Sequence, residues 1–154
     1  MEFKFLLPIT VLFLLTPLSG EVTHNLGVTG GFPQMFALTY QAEVAPYLAL
    51  EGYAGSLALL NTTLGARAVL TPTGSGVKPR GFAGVCLVDQ YYTSKYGDPS
   101  GTETYFWAGA GLGFEFPCGF QLFGDLVYIG EGDFDKGLGY SKALTFSAGL
   151  LFRL

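Results

Sequence analysis

The amino-acid sequence predicts an all-β fold: an eight-stranded antiparallel up-and-down transmembrane β-barrel preceded by a signal peptide. Three observations lead there. A short apolar run opens the chain and stops abruptly. Beyond it, apolar and polar residues alternate with period two through segment after segment. The composition is also poor in charge for a soluble domain, 49% hydrophobic and 13% charged, where about 25% charged is usual.

Met1 to Lys4 is a short stretch with one basic residue, and Phe5 to Leu15 is apolar. A helix needs about 20 apolar residues to cross a bilayer, so this run is too short and fits the core of a signal peptide. Leu18-Ser19-Gly20 is a passable cleavage site, which makes residues 1–20 the leader and residues 21–154 an outer-membrane β-barrel. A buried N-terminal helix is the alternative. No Cys follows the run, which argues against a lipid-anchored protein.

The last strand is the clearest. Leu144, Phe146, Ala148, Leu150, Phe152 and Leu154 form one face, and Thr145, Ser147, Gly149 and Arg153 the other, with Leu151 its one bulky apolar member. The same alternation runs through Val22–Thr29, Phe36–Val44, Leu48–Glu51, Thr63–Leu70, Phe106–Phe116 and Phe120–Tyr128. Arg80 to Tyr92 reads as an eighth strand, apolar on both faces and therefore not oriented. About 17 residues are available for each strand and its connection, which suits strands of about ten residues.

Connections are expected to alternate in length. Ala45-Pro46 and Phe116–Gly119 are tight and would face the periplasm; Thr71 to Pro79 is a longer turn on that side. Residues 92–104 and 130–140 are long, polar and glycine-rich, and would face outward. Aromatic residues gather near both sets of strand ends, as the two girdles of a membrane barrel would. The alternative is an ordinary sandwich core.

An eight-stranded barrel is filled by its own side chains rather than open. Inward charges should therefore pair. A hairpin centred near Leu59 sets Glu51 opposite Arg67, predicting a lumenal cluster of Glu51, Arg67 and Asp125, with Glu115 and Arg153 nearer the periplasmic end. Gly109, Gly111 and Gly113 are expected to leave room for Trp107, Tyr53 and Phe123.

At the C-terminus, Ser147-x-Gly149-x-x-Phe152-x-Leu154 resembles the terminal signal read by the outer-membrane assembly machinery, with Leu in place of the commoner final Phe. With its strand count, alternation and loop asymmetry, the chain resembles the small eight-stranded barrels of the OmpA/OmpX-like superfamily, over the barrel domain only. No peptidoglycan-binding domain is expected after the last strand.

Motifs for chemistry are sparse. His24 is the only histidine and has no nucleophile pattern beside it, so neither a catalytic residue nor a zinc site is expected. A loop centred near Pro99 would put Cys86 opposite Ala110 and far from Cys118, which predicts two free thiols. Glu131, Asp133 and Asp135 form a fragment of a calcium loop, but the glycine is one place late and Lys142 stands where a bidentate Glu belongs. Gly109-x-Gly111-x-Gly113 is not followed by a helix, so it is no dinucleotide fingerprint. Net charge is −4 with no basic stripe, which argues against nucleic acid.

The expectation is therefore a non-enzymatic barrel of a Gram-negative outer membrane, without cofactor or metal, with a structural, envelope-stabilising or surface-adhesion role. Its expected partners are outer-membrane lipid and lipopolysaccharide, the assembly machinery, and a surface ligand met by loops 92–104 and 130–140. A narrow porin-like channel gated by the charged lumen and a secreted soluble barrel binding an apolar ligand are the rivals. A lipid A-modifying enzyme lacks its His/Ser constellation.

Overall fold

The computed structural model describes residues 22–31, 35–57, 61–90, 101–130 and 143–154. The expected leader, most of the two long connections and the Glu131/Asp133/Asp135 fragment lie outside these residues. No helix among the described residues is long and apolar enough to cross a membrane, which says nothing about strands.

Eight strands account for nearly all of the described chain: β1 Thr23–Gly31, β2 Met35–Ala45, β3 Leu48–Leu57, β4 Asn61–Leu70, β5 Gly76–Gln90, β6 Gly101–Glu115, β7 Phe120–Ile129 and β8 Ala143–Arg153. Each pairs antiparallel with the next, and β8 returns to β1 from Asn25↔Arg153 to Gly31↔Ser147, closing the barrel. Leu154 adds one more bond, donating its N–H to the His24 carbonyl at 2.8 Å.

The alternation resolves into an inside and an outside. Leu26, Phe36, Leu38, Leu70, Phe106, Leu112, Leu126, Phe146 and Phe152 point outward and are exposed. Most of their described sequence neighbours point in and are buried, and many of these are polar. Because the side-chain period is two, one slip of register would exchange the two sets, so the pattern itself specifies the pairing.

The barrel has a short-turn end and a long-connection end. At the first, β2 and β3 are joined through Pro46 and Tyr47, and β6 and β7 through Phe116–Gly119. Phe116 N–H donates to the Phe120 carbonyl at 2.8 Å, and Gly119 takes φ +82°, a left-handed conformation that favours glycine. At the other end lie the strand ends Gly31, Met35, Leu57, Asn61, Gln90, Gly101, Ile129 and Ala143.

Two expectations are corrected at β5. The turn expected over Thr71–Pro79 stops at Ser75, and the strand expected from Arg80 begins at Gly76. Proline is tolerated there because β4 ends at Leu70↔Gly81, so at Pro79 no ladder to β4 needs its missing N–H. The strand also acquires an orientation: Lys78, Arg80, Phe82, Cys86 and Val88 point inward.

The register of β5 with β6 also differs from the expected one. Cys86 faces Tyr105, not Ala110. Gly101 to Thr104 look like loop by composition, yet they extend β6 beyond β7 and pair with β5 alone. Cys86 is buried, Cys118 is exposed, and both are free.

Candidate functional site

The lumen is the chemically distinctive part of the molecule. Period-two alternation on β3, β4, β5 and β7 delivers Glu51, Arg67, Arg80 and Asp125 to its middle, each at most 2% exposed. Glu51 and Arg67 are direct cross-strand partners.

The four side chains form a closed ring of ion pairs. Arg67 Nε donates to Glu51 Oε2 at 2.5 Å, and Arg67 Nη1 to Asp125 Oδ2 at 3.2 Å. Arg80 Nη2 donates to Glu51 Oε1 at 3.0 Å, and Arg80 Nε to Asp125 Oδ1 at 3.3 Å. Each carboxylate thus bridges both guanidinium groups. The ring extends toward β1: Gln41 Nε2 donates to Glu51 Oε1 at 2.9 Å, and Asn25 Nδ2 donates to Gln41 Oε1 at 2.8 Å and to Glu43 Oε1 at 3.2 Å.

Aromatic faces close over the cations. The Arg80 guanidinium lies 4.0 Å from the Phe123 ring centre, and that of Arg67 lies 4.7 Å from Phe82 and 5.1 Å from Trp107. Such contacts stabilise a desolvated cation by about 2 kcal/mol.

Nearer the short turns, Glu115 bridges Lys78 and Arg153, with Arg153 Nη2 at 2.5 Å from Oε1. Arg153 is the exposed member, its side chain 42% accessible. Among the described inward side chains, Glu43, Glu51, Glu115 and Asp125 balance Arg67, Lys78, Arg80 and Arg153.

Toward the long-connection end the lumen changes character. Tyr53, Cys86, Val88, Tyr105, Trp107, Val127 and Ile129 are buried there with Ala37 and Phe82 in an apolar cluster that also reaches Ala49 and Val69 beside the short turns. Tyr53 meets Trp107 edge-on at 5.8 Å, and Phe82 lies 5.2 Å from the same indole. Thr63 Oγ1 and Trp107 Nε1 have no hydrogen-bond partner among the described residues.

Wall glycines make room for this filling, although not in the pairing the sequence suggests. A Cβ on Gly109 would overlap the Phe82 ring, and one on Gly111 would overlap the Asp125 carboxylate. Tyr53 instead lies against Gly65, and Phe123 against Gly149.

Sequence reasoning names Glu51, Arg67 and Asp125, which the barrel brings together, and Glu115 and Arg153, which it pairs with each other. It misses Arg80, Lys78 and Gln41. The available signal was Lys78-x-Arg80-x-Phe82, a period-two run hidden by the turn reading of Pro79.

The C-terminal residues lie on the closing strand. Ser147 is buried opposite Asp125 and Gly31, and Gly149 is opposite Phe123 and Thr29. Phe152 stacks outside on Phe120 at 4.9 Å, and Leu154 is exposed. His24 Nδ1 is hydrogen-bonded to Tyr40 Oη at 2.5 Å. Among the described residues no cluster of His, Cys, Asp and Glu is arranged to hold a metal ion.

No protein-family model matches this chain, and no curated protein is detectably similar in sequence. Solved structures are similar in fold. The N-terminal β-barrel domain of Pseudomonas aeruginosa OprF aligns with TM-score 0.66 and 15% identity, over 86% of this chain and 96% of that one. A de novo designed transmembrane β-barrel aligns with TM-score 0.51 and 15% identity, over 86% of this chain and 94% of that one. The Yersinia pestis outer membrane protein Ail gives TM-score 0.48 at 18% identity, over 88% of this chain and 100% of that one, too loose to add to the case. The fold of this chain is that of the small eight-stranded outer-membrane barrels.

Proposed function

We propose that the chain is a sealed barrel of a bacterial outer membrane, exported behind a cleavable leader at residues 1–20, that serves the cell envelope as a structural or surface-adhesion protein. One observation carries the reading: a closed antiparallel wall is apolar outside along its middle and, apart from Asp89 near the long-connection end, keeps its described charges inside. Leu38, Leu70, Leu112, Leu126 and Phe146 project from it and are each more than half exposed, whereas the eight described lumenal charges point inward. In water such a surface would be a large exposed apolar patch. In hydrocarbon it is the lipid-facing belt, and closure leaves no unpaired edge.

The lumen supports a sealed barrel over a channel. An ion would have to displace the four-membered ring and then cross the apolar cluster around Trp107. The two long connections leave from the same end, which favours an adhesive role for loops 92–104 and 130–140 at the cell surface. On this reading the C-terminal Ser147, Gly149, Phe152 and Leu154 serve assembly, and the outer belt meets membrane lipid and lipopolysaccharide. The His24–Tyr40 pair takes no part in chemistry, and the protein is not an enzyme.

Fractionation tests the reading. The full chain expressed with its leader should appear in the outer-membrane fraction, need detergent for release, and run faster on a gel before boiling than after. Recovery as a detergent-free soluble protein would overturn it in favour of a secreted barrel.

A further inference from the structure

We infer that the outer wall is built for a thin bilayer, with a hydrocarbon layer of only about 23 Å whose outer surface passes between Leu87 and Asp89; this rests on the membrane reading above and names the kind of bilayer that wall fits. The register fixes how far the strands lean. From Thr23, direct partners run around the wall through Glu43, Ala49, Val69, Phe82, Gly109 and Val127 to Thr145. Thr145 stands two residues past Ser147, and Ser147 pairs with Gly31, eight residues beyond Thr23. The circuit therefore returns to β1 ten residues higher. Ten residues of about 3.3 Å, gained over eight strand spacings of about 4.8 Å, incline the strands about 40° to the barrel axis. Each residue then rises about 2.5 Å along the axis, and each step along a paired row rises about 3 Å toward the long connections.

With that climb taken into account, the apolar outer face has level edges. Toward the long connections its last described members are Phe36, Leu64, Leu87, Phe106, Tyr128 and Leu144. Their Cα atoms lie within about 4 Å of one level. Toward the short turns the last members are Val44, Val77, Phe116, Phe120 and Leu154. Phe116 and Leu154 continue their ladders through bonds to Phe120 and His24. These five lie within about 3 Å of one level, and the two rings are about 23 Å apart.

Beyond the upper ring the next outward side chains are polar: Thr62 after Leu64, Asp89 after Leu87, and Thr104 after Phe106. They stand about 4–7 Å above it, where headgroups would meet them. An ordinary bilayer has about 30 Å of hydrocarbon, so it must thin beside this wall or cover polar groups at one edge. The bacterial outer membrane is thinner than average, and the belt matches it.

Nitroxide labels on outward cysteines, read in vesicles of bacterial phospholipid, test the inference. Ala110→Cys lies midway between the rings and Asp89→Cys above them; both are made with Cys118→Ser, and Cys86 is buried. Cys118, in a short turn, is labelled in the native chain. The label at position 110 should be open to oxygen and shielded from a nickel chelate. Labels at positions 89 and 118 should show the reverse. In urea unfolding, Ala110→Arg should lower the folded-to-unfolded ratio about 30- to 900-fold, and Thr104→Arg by no more than about fivefold. A barrel that never enters the vesicles refutes the membrane reading. An inserted barrel whose label at position 89 is shielded from the chelate, or in which Thr104→Arg is as costly as Ala110→Arg, refutes the thin belt alone. If Ala110→Arg does not fold, the labels decide.

Discussion

The two halves of the lumen solve the same packing problem with opposite chemistry. From the middle of the lumen toward the short turns, charges pair: four side chains from four strands neutralise one another and extend through Gln41 to Asn25, and Glu115 bridges Lys78 and Arg153. Near the long connections, the space is filled by Tyr53, Trp107, Val127 and Ile129 as in an ordinary protein core. A buried ion ring is weak evidence for net stability, because desolvation offsets most of its attraction, but it is sensitive to losing a member. An apolar layer behaves the other way: its loss costs transfer energy and a cavity, and strands no charge. The ionic half should therefore be brittle toward single changes and tolerant of paired ones, and the apolar half tolerant of neither.

The largest expected effect follows from that difference. Arg67→Met leaves two buried carboxylates sharing Arg80, and should cost about 3–5 kcal/mol in urea unfolding from lipid vesicles. Adding Glu51→Leu removes one of those carboxylates, and the double variant should be more stable than Arg67→Met alone. If the two losses instead simply add, the ring is not a coupled unit.

Trp107→Ala should also cost about 3–5 kcal/mol, through the cavity left beside Tyr53 and Phe82. No second substitution in the ionic ring should rescue it. Gly109→Val should cost at least about 1–3 kcal/mol, because the new side chain meets both the Leu126 backbone carbonyl and the Phe82 ring, and both must move. The smallest effect belongs to Arg153→Ala. Its pair with Glu115 has the same chemistry as the ring but is part-exposed, so a loss of about 1 kcal/mol or less is expected in the same titration. A loss as large as that of Arg67→Met would mean that burial does not govern the difference.

The same division explains what could be read from the sequence. β8 was legible because its inward face is small or polar along most of its length, broken only by Leu151. Glu51, Arg67 and Asp125 stood out as charges on segments that otherwise alternate cleanly. β5 was not legible, because its inward residues pass from Lys78 and Arg80 in the ionic half to Phe82, Cys86 and Val88 in the apolar half. A strand that crosses the boundary loses its polar face midway, so both faces look apolar and neither identifies itself as the inside. Pro79 hid the rest, since a proline in a segment with Gly74, Gly76 and Gly81 reads as a turn unless the neighbouring strand is known to end first. The β5–β6 register was lost for a related reason: Gly101–Thr104 have loop composition but lie on a strand pairing only with β5 at that end.

The central claim is that two barriers in series, one ionic and one apolar, close this lumen, and conductance across a planar bilayer tests it most directly. The wild type, Arg67→Ala and Trp107→Ala should each show no ion current, because at least one barrier remains in every case. Only the double variant, with both barriers breached and folding verified by the gel shift, should conduct. Steady current through the wild type, or through Arg67→Ala alone, would contradict the account.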